Sequence, residues 1–266
     1  ELKKFFKDKN INIGNFNIKN DTIKFTVDQT KIDETITLLD DDDSLINPYY
    51  QDFKSHQFEF TNNENKFSLN LSKHGIINIK NSSLDQSIEI VRKRVDEIGT
   101  NEPNILKRGN DRILVELPGL DNPDRIKSLL GKTANLTFQF ITANEEESFG
   151  TEKLFSEDDS EEVVVSKRII ISGENLLDAK PHMDTLNNQT VVLFTLDRVG
   201  AKKFGKATTS GVGKRLAIVL DGIVISAPTI QESIVTGTGQ ISGDFTFQSA
   251  TDLSLLLRSG ALPAPL

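Results

Sequence analysis

The sequence predicts an α+β fold in which one lobe interrupts another. Three observations predict it. A helix, strand, strand, helix, strand order occupies residues 84–140 and recurs in degraded form near the N-terminus. An acidic stretch from Glu145 to Glu162 separates that unit from a strand-rich second half. A last apolar helix then returns the chain toward its first half.

Leu84, Ile88, Val91, Val95 and Ile98 form one apolar helical stripe, with Arg92, Lys93, Arg94, Asp96 and Glu97 on the other faces. Ser82 or Ser83 is the expected N-cap and Gly99 the stop. A strand, an Asn110-Asp111 turn and a second strand follow, with Ile113, Val115 and Leu117 alternating inward. Leu117-Pro118-Gly119 ends that strand as a structural corner. Asp121 to Leu130 predicts a short helix with Pro123 in its first turn, and Leu136, Phe138 and Phe140 a further strand. Ninety positions earlier, Asn20-Asp21 matches the turn, Ile23, Phe25 and Val27 the strand, and Ile36 and Leu39 the helix. Two-layer αβ-plaits of the ferredoxin-like kind are built from this order.

The second half reads differently. Val163 to Val165, Ile169 to Ile171 and Val191 to Leu196 predict strands. Gly173 to Ala179 predicts a turn entering a short helix, and Asp197 to Thr209 a helix. Leu216 to Leu220 and Ile223 to Ile225 flank Asp221-Gly222, a strong hairpin signal. Thr236 to Gly239 is a glycine-rich loop before a strand at Gln240 to Ser242. The final helix spans about Gln248 to Ser259, stopped by Gly260 and followed by Pro263 and Pro265. Asp40 to Asp43 is an unbroken carboxylate run without the interleaved glycines and carbonyl ligands of a hard-cation loop, so it reads as solvated chain.

The bulk composition removes several functions. A net charge of −8 over 266 residues argues against nucleic acid as the default partner. The absence of cysteine removes disulfides, thiolate metal sites and cysteine nucleophiles. No window approaches the roughly 20 apolar residues of a membrane span. Both ends read as cut, because Leu2 to Phe6 falls inside a helical pattern and Leu262 to Leu266 stops in mid-phrase. His56, His74 and His182 stand at no metal-ligand spacing. Gly211 to Arg215 is not a phosphate loop, and the 236–239 loop lacks a third glycine and a following helix. Arg112 and Glu116 share the outward face of their strand and read as a solvated ion pair. Neither a catalytic residue, a metal site nor a cofactor is expected.

Four stretches carry a resemblance: Ile88 to Pro103 (IEIVRKRVDEIGTNEP), Arg112 to Gly119 (RILVELPG), Asp221 to Pro228 (DGIVISAP) and Gly243 to Pro265 (GDFTFQSATDLSLLLRSGALPAP). With these, about two-thirds of the chain resembles the first large extracytoplasmic domain of the SecD family, while residues 1–80 match in pattern only. The resemblance implies a part of a bacterial inner-membrane protein of the RND superfamily that faces the periplasm and assists proton-driven export. Its implied partners are SecF, the Sec translocon channel and unfolded exported polypeptide. It further implies a ferredoxin-like base, residues 1–142 plus 246–266, and an inserted α+β head, residues 143–245. The head would swing about Ala143 and Gly243 and hold emerging polypeptide. An adaptable apolar lining suits that task, and Leu176, Leu177, Ile223, Ile225 and Ile230 are its expected members. The alternative is an assembly module that docks SecF or other translocase subunits without touching substrate. A third reading, an enzyme with a convergent carboxylate or serine site, has no local signature in the chain.

Overall fold

A computed structural model describes residues 2–19, 21–100, 102–119, 122–142, 150–157, 161–185 and 188–266. The chain divides into two compact units, Glu1–Ser83 and Leu84–Leu266.

The first unit contains α1 (Leu2–Asp8), β1 (Gly14–Lys19), β2 (Thr22–Thr26), α2 (Ile32–Leu39), β3 (Tyr49–Tyr50), β4 (Ser55–His56), β5 (Phe58–Asn63) and β6 (Lys66–Leu71). Its main sheet is antiparallel in the order β1-β2-β6-β5. Phe25 and Val27 point inward as their alternation predicts, and meet Phe6, Leu39, Phe67 and Leu69 in a closed core. Phe25 stacks on Phe67 with centroids 5.4 Å apart. Buried Asn47 ties helix to sheet, because its amide donates to the Leu39 and Phe58 carbonyls and accepts from the Phe58 N–H. Asp40 to Asp43 is exposed throughout, and Asp40 and Asp42 approach His56 Nε2 at 4.0 and 3.6 Å.

α3 (Lys73–Ile98) starts ten residues before the expected serine cap. Ser72 is the true start: its hydroxyl accepts from the Gly75 N–H at 2.9 Å. Gly75 is required there, since a Cβ would lie 2.2 Å from the Gln57 carbonyl oxygen.

The second unit continues α3 from Leu84 and adds β7 (Asn104–Arg108), β8 (Arg112–Glu116), α4 (Pro123–Gly131) and β9 (Leu136–Ile141). Then come β10 (Thr151–Ser156), β11 (Glu162–Ser172), β12 (Leu176–Asp184), β13 (Gln189–Leu196), α5 (Arg198–Ser210), β14 (Leu216–Leu220), β15 (Ile223–Ser226), β16 (Thr238–Phe245) and α6 (Phe247–Ser259). The α+β class stands, and the helix, strand, strand, helix order occurs twice, as α1-β1-β2-α2 and α3-β7-β8-α4. The sheets are the β7-β8 hairpin, a closed five-stranded barrel in the order β10-β11-β9-β14-β15, and a three-stranded sheet β12-β13-β16.

Four local expectations are corrected. The acidic stretch is not all connection, because β10 pairs antiparallel with β11 from Thr151 to Phe155. Its segment TEKLFS carries too few apolar residues to announce a strand; pairing supplies what propensity lacks. Gly173 to Ala179 enters a strand rather than a helix: one 3₁₀ turn ends at Asn175, and β12 then pairs with β13 from Leu176 to Asp184. Arg112 and Glu116 do not pair, since four residues along a strand span about 13 Å. Glu116 instead accepts from Asn104 across the hairpin, and the carboxylate beside Arg112 is Asp111.

The fourth correction is Arg94, expected on a face away from the apolar stripe and in fact 0% exposed. Its guanidinium donates to the carbonyls of Leu129, Leu130 and Lys132 at the end of α4, and to those of Thr133 and Gly260. Nε reaches the Ser259 hydroxyl at 3.3 Å. The last carbonyls of a helix have no partner within it and carry its negative pole, so one planar five-donor cation satisfies two helix ends at once. Burial lowers the Arg94 pKa to about 10, offset in part by the charge of Asp221.

Candidate functional site

α4 and α6 face the barrel across an open cleft of about 860 Å³. Asn122 caps α4 by accepting from the Arg125 N–H, and Thr246 caps α6 by accepting from the Ser249 N–H. These caps start both helices on the cleft wall. Leu129, Leu253 and Leu256 come from the helices, and Leu220, Val224 and Ile225 from the barrel. The end of β16, Gly243 to Phe245, forms a third side.

The rim carries both signs of charge. Arg125 donates to both carboxylate oxygens of Asp252, and that hydrogen bond holds the Arg125 pKa above its ordinary value. Asp252 also accepts from Gln248. Glu161 pairs with Arg215 at 3.1 Å, while Glu157, Asp244 and Lys132 line the cleft as well. No group of three or more metal-binding side chains exists among the described residues. Aliphatic floor, strand end and mixed charges suit a polar main chain with varied side chains better than one small rigid ligand.

The five residues expected as an apolar lining do not form one patch. Ile230 is 5% exposed and belongs to the main core, against which Leu176 and Ile225 pack half-buried. Leu177 on β12 and Ile223 on β15 are exposed, at 68% and 45%, on separate sheets. Ile225 alone of the five lines the cleft. Ile223 instead sits beside exposed Phe155 at the seam where β10 and β15 close the barrel in parallel. Of the two expected hinge residues, Ala143 lies outside the described residues. Gly243 lines the cleft, and a Cβ there would sit 3.3 Å from the Ile225 carbonyl oxygen. Leu117 packs half-buried on the α3 cluster, with Pro118 and Gly119 exposed in the turn beyond it.

Sequence reasoning missed the helical wall. The signal was Leu253 to Leu257: leucines on several sides of one helix mean two buried faces. Ala250, Leu253 and Leu257 enter the core of the barrel and sheet, whereas Leu256 meets Leu129 and Ala134.

The family described as "SecDF, P1 head subdomain" matches residues 151–264, and that described as "Protein translocase subunit SecDF, P1 domain, N-terminal" matches 84–143. A solved chain from work on "a membrane component SecDF that enhances protein export" is 31% identical, with a TM-score of 0.58 over 70% of this chain and 90% of that one. The chain belongs to the SecD family. A second SecDF structure, in a "super-membrane-facing form", gives a TM-score of 0.59 at 31% identity, over 69% of this chain and 27% of that one. SecD of Rickettsia felis is 45% identical over 215 residues, covering 77% of this chain and 41% of the relative. SecD of Magnetococcus marinus is 35% identical over 260 residues, covering 90% and 49%. The chain thus spans less than half the length of these SecD relatives. SecD is a protein translocase subunit, and the family is one of transport components rather than enzymes. No helix among the described residues is long and apolar enough to cross a membrane.

Proposed function

We propose that this chain is the periplasmic part of a SecD subunit that assists export driven by the proton-motive force, capturing and releasing the translocating polypeptide as its head moves against its base. One observation carries the reading. The cleft lies between α4, in a segment matched as the N-terminal part of P1, and barrel strands β10, β11, β14 and β15 with α6, in the segment matched as the P1 head. A change of angle between those parts changes the width of the cleft.

In this reading α3, β7, β8 and α4 form the plait-like base, and the barrel with the three-stranded sheet forms the head. β9 and α6, assigned to the base at first, share the core of the barrel and sheet, and α6 also meets α4 through Leu256 and Leu129. A narrow cleft grips an extended chain through half-buried Ile225 and the exposed end of β16, and a wide one lets it go. The grip is weak and tolerant of sequence, because aliphatic side chains discriminate poorly between varied segments. SecF and the Sec channel bring the chain to the cleft, and the proton gradient acts through membrane segments outside this sequence.

Photoreactive residues placed at Ile225, Ser249 and Lys132 of the full-length protein, in vesicles holding a stalled export substrate, test this. Adducts to the substrate are expected at all three, with none at Leu106 on β7. Adducts from the cleft positions to SecF alone would replace the proposal with the assembly-module reading.

A further inference from the structure

Where a head turns on a base depends on where the chain crosses between them. Two segments do so within the second unit. Residues 132–135 lead from α4 to β9, the first barrel strand, and residues 260–262 lead from α6 to Leu262, which packs on Ile90, Val91 and Val95 of α3. Both crossings contain a residue at positive φ: Ala134 at 60° and Gly260 at 90°. For alanine that conformation costs about 1 kcal/mol, so the surroundings must hold it.

They are held from two sides. Arg94 binds the carbonyls of Lys132 and Thr133 on the outgoing crossing and that of Gly260 on the returning one. The Leu262 N–H donates to the Thr133 carbonyl at 2.8 Å, which joins the two crossings directly. From the barrel side, Asp221 accepts from the Thr133 hydroxyl and the Ala134 and Asn135 N–H groups at 2.6, 3.0 and 2.8 Å. β9 and most of the inward face of α6 share their core with the barrel and sheet.

We infer that the pivot of the head is the Arg94 cage, where both crossings meet, rather than residues 143 and 243, and that β9 and α6 turn with the head. Two ion pairs then span the joint and latch the observed pose: Glu97 of α3 with Arg258 of α6, at 2.6 and 3.1 Å, and Arg125 of α4 with Asp252 of α6. Both are partly exposed, so each pair can break at little cost. Arg258 also donates to the Ala179 carbonyl of β12, which keeps it with the head when Glu97 lets go.

This inference rests on the head-and-base reading, and its test separates the two. The chain has no cysteine, so pairs of introduced cysteines take spin labels cleanly. One pair, Lys93→Cys and Lys203→Cys, spans α3 and α5; the other, Lys203→Cys and Phe247→Cys, spans α5 and α6. All three positions are exposed. Distances are read by pulsed electron spin resonance in the 266-residue chain, with and without Glu97→Gln plus Arg125→Gln. Opening the latches should add a second, displaced population to the α3–α5 distance and leave the α5–α6 distance unchanged, with unaltered circular dichroism. A displacement in both pairs would place the pivot at Gly243 and overturn the inference while keeping a mobile head. A single unchanged population in both would overturn the inference and the moving-head reading together.

Discussion

Arg94 shows how one side chain can organise a fold. Replacing it with leucine strands several carbonyls in a dry site, and each unsatisfied group costs about 1–3 kcal/mol. Arg94→Leu should therefore lower unfolding stability by more than about 3 kcal/mol, and Arg94→Lys by about 2 kcal/mol, because an ammonium has three donors and no planar fork. Denaturant midpoints check both. Since the folded value of about 10 lies below that of a free arginine, native and unfolded chains both hold the proton at neutral pH. Only above pH 10 would the native chain release it first, a change that favours the native state. The loss in Arg94→Leu, which puts no titrating group in the site, should accordingly be the same from about pH 7 to about pH 9. None of this was legible in the sequence. Helical periodicity fixed Val91 and Val95 as inward, but Arg94 lies at the margin of that stripe, and its partners are the Ser259 hydroxyl and main-chain carbonyls 35–39 and 166 residues away. Hydropathy patterns do not encode carbonyls.

At the scale of elements, α6 is the helix to perturb. Leu253 and Leu256 are 6% and 2% exposed in two different clusters, and each cut to alanine should cost about 2–4 kcal/mol. Phe247→Ala, at a position 57% exposed, should stay within about 0.5 kcal/mol of the parent chain. Chemical denaturation of the three variants tests whether both faces of the helix carry load. Elements with a strong local signal were readable: the Asp221-Gly222 hairpin, the Pro123 helix, the alternation through Phe138 and the final helix all form where their residues place them. β10 and β12 were not, since long-range pairing determines them. The cleft was legible only through Ile225 and Gly243, because its walls are drawn from elements far apart in the chain.

The whole chain holds separate cores on either side of residue 83: Phe25, Phe67 and Leu69 in one, and Phe138, Val192 and Phe194 in the other. A fragment of residues 84–266 should fold alone and melt in one cooperative transition, followed by circular dichroism and calorimetry. A broad, gradual melt would mean that the first unit completes the fold of the second. The barrel has a further consequence. Each of its five strands has a neighbour on both sides, so the open edge along its perimeter is short and lies beside the two-residue seam of β10 and β15. A lobe that handled unfolded polypeptide, as proposed above, would therefore be protected along most of that wall from being drawn into deposits, and in the three-stranded sheet the open flanks are those of β12 and β16.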